Sequence, residues 1–418
     1  MQIKHLHIEN FKCFEEIELN FKPLVLIIGP NASGKSNFIQ IFKFLHDLRN
    51  LGLEDAIALQ GGIEYFRNIH IGAKKNIKLQ LKIEDTYKVG REVGDTLYGF
   101  KGLKTFYYLE LKTFKTTNNF RIVKEELSTE FDIVHLKHDG DKISAESESK
   151  GKGKLEIIKQ ASKIKTSVSI PEGVEIQDEE IVPQFLNDIK LPEDKSILNS
   201  SFMVLPILSN IFDDMGIYDF DPKLPKKAIP IVGKTEIESD GSNIAIVLKH
   251  LLSNKNAKKR LIQYINSLLP FIKEPYVEKV ADKSILMKFQ EEYFNGSNSI
   301  PASLISDGTI NITSIIIALF FSQKNFIAFE EPERNIHPNL ISKLMNYMME
   351  ASNKAQIFLT THNPELIKQT NLDYVYFISR DNRGMSKVFR PSSSAEVKTF
   401  LKNDIGIDEL FVKNIMPV

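Results

Sequence analysis

The 418 residues are 42% hydrophobic, enough for a large core and for two or three domains by length. Basic and acidic side chains balance at 54 each, which excludes a net field recruiting nucleic acid or anionic lipid and leaves only a local basic groove open. One cysteine, Cys13, excludes an internal disulfide and a cysteine-based zinc cage, and fits a reducing compartment.

The chain opens on Met1-Gln2-Ile3-Lys4-His5-Leu6 without the apolar stretch of a signal peptide. Ile3, Leu6, Ile8 and then Ile17, Leu19 and Phe21 alternate, which predicts a β-hairpin. Residues 24–28 are continuously apolar, as in a strand buried on both faces of a parallel sheet. A glycine turn follows, and Phe38, Ile41, Phe42 and Leu45 then predict a helix over 37–48. Residues 77–143 alternate in short runs broken by polar turns such as 116–119, so an antiparallel sheet is expected. Residues 147–165, rich in lysine and punctuated by glycine, read as a surface loop or the start of an arm. Residues 181–217 and 242–271 read as helical, and no sustained heptad predicts a coiled coil. The apolar run 315–321 is far shorter than the roughly 20 residues of a membrane helix, so a cytoplasmic chain with no membrane association is expected. Apolar strands at 326–329, 357–360 and 375–378, with a helix over 338–351, return the pattern to a parallel sheet with crossovers.

Four motifs carry chemistry. Gly29-Pro30-Asn31-Ala32-Ser33-Gly34-Lys35-Ser36, followed by Asn37, lies between a buried strand and an amphipathic helix. Its glycines let successive N–H groups turn inward on phosphates, Lys35 reaches the β- and γ-phosphates, and Ser36 offers a hydroxyl to Mg2+. Phe326-Ile327-Ala328-Phe329-Glu330-Glu331-Pro332-Glu333 puts acids at the carboxyl end of a core strand. There one carboxylate can hold hydrated Mg2+ and the next can polarise a water; the plainer reading is an acidic helix start. Ser306-Asp307-Gly308-Thr309 opens a helix and, taken alone, reads more readily as an ordinary N-cap than as an anion site. His362, in Thr360-Thr361-His362-Asn363-Pro364, gains meaning only from its place in this series.

The order of these motifs resembles the ABC-class ATPase heads of the SMC, RecF and OLD group, and more narrowly its small stand-alone members in bacteria and archaea. Ile8-Glu9-Asn10-Phe11-Lys12-Cys13-Phe14, Tyr218-Asp219-Phe220-Asp221-Pro222 and Asp240-Gly241-Ser242-Asn243 share the look. The resemblance covers roughly 1–85 and 240–380. It implies an α/β P-loop NTPase fold of ABC-head type, with a parallel core sheet, an antiparallel β-subdomain and an inserted helical region. The expected division is 1–88 for the first part of the head, 89–240 for the insertion, and 241–418 for the rest.

Carried over, Gly29, Asn31, Ala32, Ser33, Gly34, Lys35, Ser36 and Asn37 bind ATP, and Ser36 and Glu330 bind Mg2+. Glu331 is the catalytic glutamate and His362 the switch histidine. Ser306 and Gly308 match the signature that completes the site of a second subunit, and residues 334–338 match the dimer-contacting loop. A head-to-tail homodimer around ATP is then implied. Glu330 departs from the aspartate usual in the family, and no residue is assigned to the glutamine loop, although Gln60 lies beside Gly61-Gly62.

By this resemblance the chain is an ATPase acting on DNA or RNA, or driving a nuclease or other effector in repair or anti-phage defence. The alternative is a transporter's ATPase subunit, against which stand a signature without the Leu-Ser-Gly-Gly-Gln form and a long middle insertion. A nuclease in its own right would need a further catalytic domain, for which the stretch after His362 is short.

Overall fold

A computed structural model describes residues 1–393 except 85–87, 94–95, 116–118, 140–141, 175, 201–211, 281–282, 294–297 and 369. In chain order, β1 (Gln2–Phe11), β2 (Phe14–Asn20) and β3 (Leu24–Ile28) precede α1 (Lys35–Leu51), α2 (Leu53–Leu59) and α3 (Ile63–Phe66). Strands β4 (Ile77–Glu84), β5 (Lys88–Val93), β6 (Thr96–Thr113), β7 (Phe120–Asp139), β8 (Lys142–Gln160) and β9 (Lys163–Ser169) follow, then α4 (Asp178–Ile181), β10 (Met215–Tyr218) and β11 (Ile229–Pro230). Next come α5 (Ile244–Ser253), α6 (Lys255–Leu268), β12 (Ile272–Val280), β13 (Ser284–Glu291), β14 (Ile300–Pro301) and α7 (Asp307–Phe320). The last elements are β15 (Phe326–Glu330), α8 (Pro338–Ala351), β16 (Gln356–Thr361), α9 (Pro364–Lys368), β17 (Val375–Arg380) and β18 (Ser386–Phe389).

The described residues divide into two compact units, one drawn from 1–21, 40–214 and 380–387, the other from 22–39, 215–379 and 388–393. The first is built on an antiparallel sheet in the order β2-β1-β4-β6-β7-β8-β9, with β5 paired to β6. The expected hairpin at the N-terminus and the antiparallel run from 77 are both present. The loop or arm expected over 147–165 is instead β8 turning into β9. Gly153, Leu155, Ile157 and Lys159 alternate inward there. Gly153 is required because a Cβ would come within 2.4 Å of the Phe131 ring. Lys159 disguised the pattern: it is fully buried, donates to the carbonyls of Pro192 (2.7 Å) and Lys195 (2.5 Å), and lies near the buried Glu125. Glu125 in turn accepts from Tyr107 and Ser196 and from the backbone of Ile197, so the cluster is satisfied.

The helix expected over 181–217 is also corrected in its described part. Only α4, two 3-10 turns at Gln184–Asp188 and Ile197–Asn199, and β10 occur there; residues 201–211 lie outside the described residues, as do 116–118 of the expected turn. Pro183 and Pro192 break any helix, and the segment is tied to strands instead, as where Asn187 accepts from the Thr166 backbone at 2.7 Å.

The second unit carries a six-stranded sheet, β10-β15-β16-β3-β17-β18, and a smaller sheet, β11-β13-β12 with β14 on β13. In the larger, β10, β15, β16, β3 and β17 pair in parallel. Leu24, Leu26 and Ile28 look into a core filled from α5, α6, α7, α8 and the small sheet. On the opposite face Phe38 stacks on Phe358 at 6.4 Å. The helix expected over 242–271 is present as α5 and α6, broken at Asn254, which caps α6 through the amides of Asn256 and Ala257. None of the described helices is long and apolar enough to cross a membrane. Leu359, fully buried in β16, tests this core: Leu359→Ala should cost about 2–5 kcal/mol, read as a lowered urea midpoint with both units' transitions followed by circular dichroism.

Candidate nucleotide site

Strand register assembles the site. Ile28 ending β3 pairs with Thr361 ending β16, and Thr360 pairs with Glu330 ending β15. The next residue of each strand, Gly29, His362 and Glu331, therefore leaves the sheet at the same edge, although more than 300 positions separate the first from the others. Gly29 N reaches back to Thr361 O at 3.4 Å, and Glu331 N to Thr360 O at 2.9 Å.

The turn after β3 needs its glycines. A Cβ on Gly29 would lie 2.2 Å from the carbonyl oxygen of Ile378, and Gly34 has φ 111°. Ala32 also sits in the left-handed region, at φ 61°. Alternating hand along such a turn aims successive N–H groups into one concavity, the form that binds anions. Lys35 is buried at the first residue of α1 and donates to the carbonyls of Gly29 (2.9 Å) and Pro30 (3.0 Å). Burial lowers its pKa, against the pull of Glu331, Glu333 and Glu330, whose charges all reach it.

Ser36 donates to Glu330 Oε2 at 2.7 Å. Burial pushes the Glu330 carboxyl above its ordinary range, and the neighbouring charges of Asp219 and Glu331 push the same way, with Ser36 opposing. Both groups offer hard oxygens, the donor class Mg2+ takes, and an added cation would relieve the crowding of three carboxylates. The residues present fit the ion. Bound with a triphosphate, Mg2+ would neutralise charge on the phosphate oxygens.

Glu331 turns out of the strand at φ 45°, a rare conformation for a non-glycine residue and one that clusters at functional sites. Its Oε1 lies 2.8 Å from His362 Nδ1, and its Oε2 accepts from Arg334 Nε at 3.0 Å. Burial alone would raise its pKa, but His362 and Arg334 outweigh burial and hold the carboxyl below its ordinary range. Arg334 also reaches Asp219, just past β10, at 2.8 Å. The structure thus brings Lys35, Ser36, Glu330, Glu331 and His362 together. Ser306 and Gly308 stand apart: among the described residues the Ser306 hydroxyl bonds within its own turn, to Thr309, capping α7, and not to the phosphate loop.

Asn311 escaped sequence reasoning, as did the contacts of Glu333 and Gly308, which were visible only as members of motifs. Glu333 is buried, bonds Thr361 Oγ1, and has its carboxyl pKa raised by that burial. Asn311 donates to Pro332 O and Arg334 O, both at 2.9 Å, and Gly308 packs so closely that a Cβ would meet Asn335 O at 2.4 Å. Asp219 and Arg334 were visible as residues of matching segments, but only the fold pairs them.

A family described as "AAA domain, putative AbiEii toxin, Type IV TA system" matches residues 24–368. The chain belongs to that family. It is also similar to the endonuclease GajA of Bacillus cereus (strain VD045), 21% identical over 380 residues, 88% of this chain and 56% of GajA. The chain thus spans about half the length of that relative. Among solved structures it is similar to an SMC head bound to the C-winged helix domain of ScpA, with TM-score 0.50, 12% identity, and 93% and 98% of the two chains covered. An SMC head with an extended coiled coil, bound to the C-terminal domain of ScpA derived from Pyrococcus furiosus, gives TM-score 0.49 and 11% identity over 96% and 99%. The fold is that of a P-loop NTPase of the ABC-head type. The family implies ATPase activity and binding of ATP with Mg2+ in general, and the likeness to SMC heads is one of fold.

The raised pKa of Glu330 has a measurable sign. Between its unfolded and folded values the folded chain holds a proton that the unfolded chain has lost, so this group's contribution to stability falls as pH rises. Glu330→Gln should therefore raise the melting temperature at neutral pH without nucleotide. The gain should vanish below about pH 4, where both states are protonated. A thermal melt series across pH, showing no gain at neutral pH, would contradict the assignment.

Proposed function

We propose that the chain binds Mg·ATP in the cradle after β3 and that two copies close head-to-tail around two nucleotides. Hydrolysis then releases them and drives a nucleic-acid-processing or nuclease partner, in DNA repair or anti-phage defence. The observation that carries this reading is the meeting of Lys35, Ser36, Glu330, Glu331 and His362 at one sheet edge.

Each residue has a chemical task there. Lys35 exchanges two loop carbonyls for the β- and γ-phosphate oxygens, with the amides of residues 31–37 and the start of α1 facing the same anion. Ser36 and Glu330 hold the ion. Glu331, kept ionised, accepts a proton from the attacking water, and His362 senses the γ-phosphate beside it. Ser306 and Gly308, at the amino end of α7, face the γ-phosphate held by the second copy. One oxygen of Glu331 meets His362 and the other Arg334, and each keeps a second lone pair with which to accept from a water. Arg334 lies in the segment matching the family's dimer-contacting loop, so the partner copy would meet the site beside Glu331.

The partner rests on the comparisons. Similarity to an endonuclease over 88% of this chain supports work beside nuclease chemistry, and the winged-helix domain held by the similar SMC head supports an effector on this fold.

Lys35→Ala should abolish ATP binding in calorimetry. Glu331→Gln should lower turnover by about 10²–10³ and hold an ATP-dependent dimer visible by light scattering. A Glu331→Gln protein that stays monomeric and hydrolyses ATP at the parental rate would overturn the reading.

A further inference from the structure

The charge balance of the whole chain hides a local excess. Residues 241–273 contain Lys249, Lys255, Lys258, Lys259, Arg260 and Lys273 and no Asp or Glu. All belong to the unit that holds the nucleotide site. Four of these cations fall in the first two turns of α6, and two of them, Lys255 and Lys258, in the first, where the helix dipole is positive and acidic residues are the stabilising choice. Lys255 and Lys259, at i and i+4, also repel each other. Local stability therefore disfavours this arrangement. Lys258 pairs with Glu274 at 2.7 Å and Arg260 lies over the Phe321 ring at 5.5 Å, but Lys249, Lys255 and Lys259 are exposed and have no partner among the described residues. Lys249 lies five residues before Asn254, where α5 ends and α6 begins.

We infer that the α5–α6 corner is a docking surface for the phosphodiester backbone of duplex nucleic acid. The inference rests on the function proposed above and names the surface through which it meets nucleic acid. A membrane fits poorly, because the exposed face of α6 (Lys255, Asn256, Lys259, Arg260, Gln263, Ser267) has no large apolar residue to insert. A single strand fits poorly too: Tyr264, the aromatic residue of α6, is already stacked on Phe320 at 4.0 Å, leaving no free platform for bases. Backbone contacts by lysine carry no sequence information, so binding is independent of base sequence.

The test is fluorescence anisotropy with the full chain, with and without ATP, on labelled duplex DNA, duplex RNA and single-stranded DNA of equal length, and on phosphatidylserine vesicles. Lys249→Ala/Lys255→Ala/Lys259→Ala should weaken duplex binding roughly tenfold or more at about 150 mM salt, and lower the slope of log affinity against log salt by about 2.7. An equal charge loss on the other unit, Lys150→Ala/Lys163→Ala/Lys165→Ala, should do neither. Duplex RNA bound as well as DNA supports the surface and names the second source. A triple variant with parental affinity and slope overturns it, as does preference for single strands or vesicles. Failure of the parental chain to bind any duplex while hydrolysing ATP also overturns it and leaves the ATP clamp standing.

Discussion

The site depends on a parallel register. With β16 between β3 and β15, and Ile28 level with Thr361 and Glu330 level with Thr360, three separate chain reversals open at one edge. A shift of one residue along β16 would turn its side chains to the opposite face and carry His362 away from Glu331. The continuous apolar composition of β3, β15 and β16, buried on both faces, makes such a shift costly, because core and helices on each side are shaped to this register. The geometry of the acids and the lysine is thus inherited from packing several residues away.

That packing also maintains what the residues alone would not. Glu330, Glu331 and Glu333 lie close together, two of them with pKa values raised by burial, and Glu331 holds a left-handed backbone. An uncompensated carboxylate in such surroundings is unfavourable, and a sheet edge built only for stability would carry neutral side chains there. Hydrogen bonds from Ser36, Thr361, His362 and Arg334 offset part of that cost. The remainder is a standing preference for positive charge at this edge.

Much of this was legible in the sequence, for identifiable reasons. The strands at 24–28 and 326–330 are short apolar runs ended by glycine or acid, that at 356–361 has an apolar centre closed by two threonines, and α8 begins at a proline after His337, so period and punctuation agree. Reading failed where a polar residue points inward or where contacts are wholly tertiary. Lys159 and Gly153 on the buried face of β8 mask its alternation, and both make sense only once Phe131 and the 192–195 carbonyls are known. The stretch over 181–200 has the apolar content of a helix, but prolines break it and its residues anchor individually. In the site, motif spacing identified the acids and the lysine; the engagement of Glu331 by Arg334, and of Arg334 by Asp219, belongs to no motif.

Asn311 deserves a mechanical reading. One side-chain amide, on the second turn of α7, grips two carbonyls of the segment that leaves β15, and Gly308 sits flush against the same segment at Asn335. These joints make the amino end of α7 and the 332–335 turn a single stiff piece, so neither can be displaced alone. The Asn311 amide and the Gly308–Asn335 contact therefore hold the turn that carries Arg334 in fixed register with the start of α7.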